Sequence, residues 1–389
     1  MTKLLVQKYL ENHSLNDLHD DHAVDLSFSK DKTKMSLNYN MIDAKNNDPL
    51  ACQCRGVILA MPDFSAFDNK DIIIGETNLV SYGFNRFFNL GQGEAPDLDL
   101  SDKETTVYSK LDGTCIFLYF FNNQWFTATR SCPEADIPLD GGTHTFNSLF
   151  KEGVKNTVDK TFDEFVHTLD TNLTYIFELT SYYNRIVCIY KETSITLLGA
   201  RNIQTLQELK LKDVKVHCPK VVSFDISTIE DVVNWVSAQK ATEHEGVVIV
   251  DRNFRRVKIK NANYVLLHRS KDILLRSDRN ALEAVLLGQE DDLIPLLSEL
   301  IVEKLKMYKE KLPIFTKHYD DKYNDIINSL PKGFSQKDFA LKVQSLGLWE
   351  ASFFSRFNNK CKNTNDFIFQ SKKMGTWNAS FLDKLLSHI

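Results

Sequence analysis

Up to about residue 270 the apolar residues of this chain recur mainly at every second position, and beyond it they recur at helical spacing. That change of period limits the fold more than any other feature. Ala23-Val24-Asp25-Leu26-Ser27-Phe28 and Met35-Ser36-Leu37-Asn38-Tyr39 alternate as half-buried strands do. Further strands are predicted at 55–61, 106–109, 115–121, 124–130, 174–178, 185–190, 194–200, 246–251 and 255–260, most of them separated by turn residues such as Asn122-Asn123. Helices are expected from Leu4, Leu5, Tyr9 and Leu10, from Ser14-Leu15-Asn16-Asp17 onward, and over 147–169 and 228–239. Many short strands with a few inserted helices define an α+β domain of antiparallel sheets with flanking helices over residues 1–270. From 271 to 389 the spacing of Leu282, Val285, Leu286, Ile294, Leu297, Leu305 and Tyr308, and the capping signature Ser335-Gln336-Lys337-Asp338, predict a second, all-helical domain. Gly347 and Gly375 stand where helices would stop, with Thr376-Trp377 starting the last one.

Composition narrows the class of molecule. Hydrophobic residues make up 43% and charged residues 25%, which excludes wholesale disorder. No apolar run approaches the ~18 residues of a membrane span, and Glu11 and Asn12 interrupt the start where a secretion signal needs an apolar stretch. The expectation is a soluble, cytoplasmic protein. Its seven cysteines have no zinc-type spacing and read as reduced thiols. The net charge of −5 argues at first against a nucleic-acid binder. Locally the balance reverses: Arg252, Arg255, Arg256, Lys258, Lys260, Arg269, Lys271, Arg276 and Arg279 face only Asp251, Asp272 and Asp278, while acids such as Glu290-Asp291-Asp292 dilute the total. Such a concentration suits phosphate contacts.

Lys110-Leu111-Asp112-Gly113 joins two predicted strands. By itself it is weak, since average usage puts such a tetrapeptide in about one chain of this length in ten. Its bland reading is a hairpin shoulder with an Asp/Gly turn. Its company raises its weight. Downstream, in order, come a strand ending in Arg130, Phe177-Glu178 running toward Asn184-Arg185-Ile186-Val187, Glu245-Gly246 opening an apolar strand, and Lys258-Ile259-Lys260 with two lysines on one face. Glu and Lys are uncommon in strands of this kind without partners. Together they indicate a polar site assembled between sheets.

This ordered set resembles the covalent nucleotidyltransferases, and within them the bacteriophage-type RNA ligase 1 family. The narrower likeness rests on Cys54-Arg55-Gly56-Val57, Asn85-Arg86-Phe87-Phe88-Asn89-Leu90, Asn184-Arg185-Ile186-Val187 and Lys260-Asn261-Ala262-Asn263-Tyr264-Val265, and covers roughly residues 35–270. The resemblance implies an ATP-dependent RNA ligase working in three steps. ATP adenylates Lys110, AMP passes to an RNA 5′-phosphate, and a 3′-hydroxyl displaces AMP to close the phosphodiester. It also implies site roles: Glu178 on the adenosine ribose, Lys258 and Lys260 on the α-phosphate, and Arg55, Arg86 and Arg130 on ATP. Tyr39 and Gly113 belong to the nucleotide pocket. Glu245 would hold Mg²⁺, directly or through water, with Mn²⁺ as an alternative metal, and Asp112 would orient the loop carrying Lys110.

The chain departs from the family in having Arg86 and Arg130 where phage members carry lysine, and the two cations differ in hydrogen-bond geometry. Attack by a lysine needs the neutral amine, whose free pKa is about 10.4. Burial and the neighbouring Lys258 and Lys260 are expected to depress it. In the resembling family a helical tail contributes to RNA specificity, notably for broken tRNA loops. No G-x-x-x-x-G-K-[ST] motif is present, so a separate end-healing enzyme is expected to supply the ends. Two rival readings stand beside this one: the ligase component of a tRNA-splicing system needing a 2′-phosphate, and a non-catalytic RNA-binding protein on a ligase fold. The aromatic residues Trp349, Phe353, Phe354 and Phe357 read as core at helical spacing, or as a partner surface.

Overall fold

A computed structural model describes residues 2–61, 70–139, 142–268, 277–286, 299–344, 350–373 and 379–387. The expectations for Arg269, Lys271, Asp272 and Arg276, for Glu290-Asp291-Asp292, Ile294 and Leu297, and for Gly347, Trp349, Gly375 and Thr376-Trp377 lie outside those residues. The chain divides into two compact units, Met1–Val265 and Leu266–Ile389.

The first unit is built on three main sheets. The first joins β1 (Val24–Phe28), β2 (Lys34–Tyr39), β3 (Arg55–Ala60) and β4 (Asn78–Ser81) in sequence order. Two five-stranded sheets then share the rest. Strands β5 (Phe88–Asn89) and β6 (Thr106–Lys110) belong to one; β7 (Thr114–Phe121) and β8 (Gln124–Ala128) belong to the other. A small hairpin follows, β9 (Pro138–Leu139) with β10 (His144–Thr145). Strands β11 (Leu173–Thr180), β12 (Ser194–Asn202) and β13 (Glu208–Leu209) complete the order β13-β12-β11-β7-β8. Finally β14 (Ser223–Phe224), β15 (Gly246–Val250) and β16 (Arg256–Lys260) complete the order β14-β6-β15-β16-β5. Among these named strands every pairing is antiparallel except β16 with β5, so the expected α+β class holds.

Strand β11 is buried along its whole length. Its residues are covered on one side by Leu149, Phe150 and Val154 of the helix Phe146–Val158, and on the other by Ile58, Val80 and Phe84. This explains why Leu173–Thr180 reads as a nearly unbroken apolar run around Glu178.

Two sequence expectations need correction. The helix expected over 147–169 is two helices, Phe146–Val158 and Phe162–Val166. Asp159 ends the first in the left-handed region (φ 55°), and Thr161 caps the second through the Glu164 N–H. The segment 185–190 is not a strand. The backbone N–H groups of Val187 and Cys188 donate to the Asp112 carboxylate at 2.8 and 2.6 Å, so they are not available to a neighbouring strand.

In the second unit the described helices are Asp278–Leu286, Glu299–Ser329, Gln336–Gln344, Glu350–Phe357, Thr364–Lys373 and Ala379–Leu386. Ser335 caps its helix as the sequence predicts, accepting the Asp338 N–H while its own N–H donates to Asp338 Oδ2. Phe353 is 1% exposed beside Tyr319, Phe339 and Ile368, with Phe354 and Phe357 packed against the same core. These aromatic residues are core.

Candidate active site

The hydrogen-bond register of three strands assembles the centre. In β6-β15-β16, Lys110 pairs with Gly246, which pairs with Lys260; two residues on, Tyr108 pairs with Val248, which pairs with Lys258. Directly paired residues share a face, so Lys110, Lys258 and Lys260 lie on one side of the sheet. The facing sheet sets Cys115 opposite Glu178. Between the sheets lies a cavity of about 380 Å³, walled by Lys110, Tyr108 and Val248 from one sheet and Cys115, Glu178 and Leu198 from the other, with Arg55 and Phe87.

Glu245 stands just before β15 and is 3% exposed. Its Oε2 accepts from Lys110 Nζ at 2.7 Å, and its Oε1 lies 2.8 Å from Lys260 Nζ. One buried carboxylate thus joins the lysines of two motifs. Gly246 makes this approach feasible: a Cβ there would lie 2.1 Å from the Ile259 carbonyl oxygen, and its φ is 149°. Asn261 secures the same corner. Its N–H donates to the Glu245 carbonyl at 2.8 Å, and its side-chain amide donates to the carbonyls of Val236 and Gln239.

The Lys110 loop is tied from behind. Asp112, 1% exposed, accepts from Val187 and Cys188 N–H through Oδ2 and from the Tyr264 hydroxyl through Oδ1 at 2.6 Å. Its own N–H donates to the Tyr190 hydroxyl at 3.1 Å. The Gly113 N–H donates to Glu178 Oε1 at 3.1 Å, and a side chain at Gly113 would run into the Leu179 carbonyl, 2.3 Å from the Cβ position. The loop therefore lies tight against β11.

Electrostatics depart from expectation at Lys110. Burial disfavours its ammonium, but Glu245 and Glu178 outweigh burial and hold its pKa above the ordinary lysine value. The expected depression is not what these neighbours produce: the nucleophile candidate rests as half of an ion pair. The depressed lysine is Lys258, lowered to about 8 by burial and then by Lys260, Lys110 and Arg55. Burial raises Glu178 to about 7, with Glu245 adding and Lys110 opposing.

Arg55 lines the cavity, stacks 5.4 Å from the Phe87 ring centre, and has a buried Nη1 without a hydrogen-bond partner among the described residues. Tyr39, Arg86 and Arg130 do not line it. They form their own cluster, with the guanidinium groups of Arg86 and Arg130 at 4.3 and 5.6 Å from the Tyr39 ring centre. Arg86 also donates to the Ala44 carbonyl, and Arg130 lies 3.4 Å from Met41 Sδ.

Sequence reasoning assigned no role to Asn261, Tyr264 or Tyr190, although the first two stand inside the Lys260–Val265 motif. It also missed Glu208, which the two arginines Arg201 and Arg256 clamp between β12, β13 and β16. Arg256 lies 48 residues from Glu208, which leaves no local signal for that half of the clamp.

Glu178, Glu245, Lys258 and Lys260, far apart along the chain, thus gather around Lys110 at the wall of one cavity, the arrangement of a nucleotidyltransferase. Within that class the chain belongs to the RNA ligase family, whose sequence profile matches residues 53–264, more than half of its 389 residues. It is 25% identical over 354 residues to a protein of Autographa californica nuclear polyhedrosis virus whose name pairs polynucleotide kinase with RNA ligase. That match covers 84% of this chain and 48% of the relative, so the chain spans about half the relative's length. It is 23% identical over 353 residues to an RNA ligase of Rhodothermus phage RM378, covering 75% of this chain and 77% of that one. Among solved structures, an archaeal ATP-dependent RNA ligase matches with a TM-score of 0.42 at 13% identity, covering 81% of this chain and 79% of the other.

Proposed function

We propose that the protein is an ATP-dependent RNA ligase that joins 5′-phosphate and 3′-hydroxyl ends through a lysyl-AMP at Lys110. The observation that supports this most directly is the Lys110–Glu245–Lys260 bridge, whose Lys110 lines the cavity. Glu245 Oε2, already hydrogen-bonded to Lys110 Nζ, is the nearest acceptor for the proton that must leave before the amine attacks the α-phosphate. The N–P bond forms as pyrophosphate departs. Lys258 and Lys260 offset the charge that gathers on the α-phosphate oxygens. AMP then moves to an RNA 5′-phosphate, and the attacking 3′-hydroxyl expels it as the phosphodiester closes. Arg55 and Glu178 contact the nucleotide. Asp112 acts through the loop, as a positioning residue.

Among the described residues no group of three or more His, Cys, Asp or Glu side chains could hold a metal ion, and both Glu245 oxygens are engaged by lysines. A Mg²⁺ or Mn²⁺ would be held by Glu245, directly or through water, in exchange for one of these lysine contacts. When bound, the ion would supply further positive charge beside the α-phosphate.

RNA repair, with broken tRNA in the cytoplasm as a substrate, suits this chemistry, and the helical unit is assigned to substrate choice. The ends would be prepared by a separate end-healing enzyme. No described helix is long and apolar enough to cross a membrane.

Incubation with ATP labelled at the α-phosphate and Mg²⁺ tests the proposal. The wild-type chain should take the label covalently, and Lys110→Ala should not. Label on the alanine variant would overturn the assignment.

A further inference from the structure

Beside the Lys110 cavity lies a second groove of about 710 Å³. The two share a partition that includes Phe87, Glu208, Phe254 and Arg256. Five arginines line the groove (Arg86, Arg201, Arg252, Arg255 and Arg256) against two acids, Glu94 and Glu208. Glu208 is already clamped by Arg201 and Arg256. Arg252 and Arg255 pair with Asp102 and Asp251 at 2.6 and 2.7 Å, yet their side chains are 56% and 54% exposed. The carboxylates are 19% and 6% exposed, but a guanidinium has five N–H donors, and the solvent-facing ones can meet a further anion while the pair stays formed.

The turn from β15 to β16 projects these groups. The Asp251 carboxylate gathers the N–H groups of Asn253 and Arg255 at 3.0 and 2.8 Å. Phe254 sits in the left-handed region at φ 60°, where a bulky residue is a genuine outlier and Gly or Asn would be at ease. A strained backbone that holds an aromatic ring on the wall between groove and cavity is a reason to look for a ligand there.

We propose that this groove seats a single-stranded RNA, with backbone phosphates on Arg252 and Arg255 and a base against Phe254, beside the centre that handles its end. The inference rests on the ligase reading above. Arginines interleaved with aromatic rings are what a flexible strand of phosphates and bases requires. The same phosphate chemistry could be offered by the outer phosphates of ATP. The groove, however, carries Arg86, Arg201 and Arg255, none of which lines the Lys110 cavity, and a triphosphate has no second base for Phe254.

The test measures anisotropy of a 5′-phosphorylated single-stranded oligoribonucleotide of about ten nucleotides, with the KM for ATP in self-labelling measured in parallel. Asn253→Asp and Gln207→Glu each add a negative charge to the groove at nearly constant volume, and Arg255→Gln removes a positive one. Each should weaken RNA binding roughly 3–10-fold at low salt, and Arg255→Gln should lower the slope of log affinity against log salt by about 0.7. Lys155→Gln, at an exposed pair elsewhere, should change neither. Unchanged RNA affinity and salt slope in all three groove variants would overturn the proposal. A raised KM for ATP with RNA affinity intact would also overturn it, and would assign the groove to the triphosphate. A wild-type chain that takes no label refutes the ligase reading, and the RNA titration still decides the groove.

Discussion

Removing the carboxylate of Asp112 should destabilise the first unit while leaving the chemical groups of the centre in place. Asp112 is 1% exposed and accepts three hydrogen bonds, from Val187 N–H at 2.8 Å, Cys188 N–H at 2.6 Å and the Tyr264 hydroxyl at 2.6 Å. Val187 and Cys188 are each 1% exposed and Tyr264 2%, so water does not replace the lost acceptor without rearrangement. A buried donor left unmade costs about 1–3 kcal/mol, and a hydrogen bond to a charged group contributes about 1.5–3 kcal/mol. Asp112→Ala leaves three such donors; with part of the loss offset by not burying a charge, a destabilisation of about 4 kcal/mol is expected. Asp112→Asn keeps one acceptor for the two N–H groups and turns its amide toward Tyr264, so about 2 kcal/mol is expected. Urea unfolding followed by circular dichroism measures both. Under conditions where the variants stay folded, self-labelling by ATP should lose kcat with little change in KM, because the loop carrying Lys110 is loosened and no ATP contact is removed. An alanine variant within about 1 kcal/mol of wild type, or an asparagine variant as damaging as alanine, would refute this account of the loop.

Other predictions follow from the same geometry. Glu178, raised to about 7 in the folded chain, binds its proton more tightly folded than unfolded, so stability should fall as pH rises from about 4.5 to 7. Glu178→Gln should flatten that decline in a pH series of unfolding curves, and an unchanged slope would count against the burial of this carboxylate. Lys258 has the opposite sign: its folded pKa of about 8 means that stability should rise with pH between about 8 and 10.5, a gain that Lys258→Met should lack. Because Glu245 and Glu178 hold Lys110 protonated, the rate of self-labelling should climb with pH through the neutral range; a flat profile from pH 6 to 9 would contradict the ion pair. Gly246→Ala puts a Cβ 2.1 Å from the Ile259 carbonyl and should destabilise the unit by about 3 kcal/mol, read as a lower unfolding midpoint; an unshifted midpoint would mean that β15 and β16 are less close than described.

The residue pattern alone determined most of the kinds of element and singled out candidate site residues. Alternation gave the strands at 24–28 and 35–39, the capping signature at Ser335 gave a helix start, and the ordered motifs, through the family they resemble, singled out Lys110, Glu178, Glu245, Lys258 and Lys260. These are local properties, set by side-chain period and by residues a few positions apart. Whatever depended on partners far along the chain was settled by tertiary structure. The apolar run 185–190 reads as a strand, and only the Asp112 carboxylate, 75 residues upstream of Val187, takes its N–H groups away from a sheet. Lys110 lies among lysines in the motif list, which suggested a depressed pKa. The register that brings Glu245 to 2.7 Å, 135 residues away, reverses the sign. Coulomb energy depends on separation in space and on burial, and neither is written in sequence order.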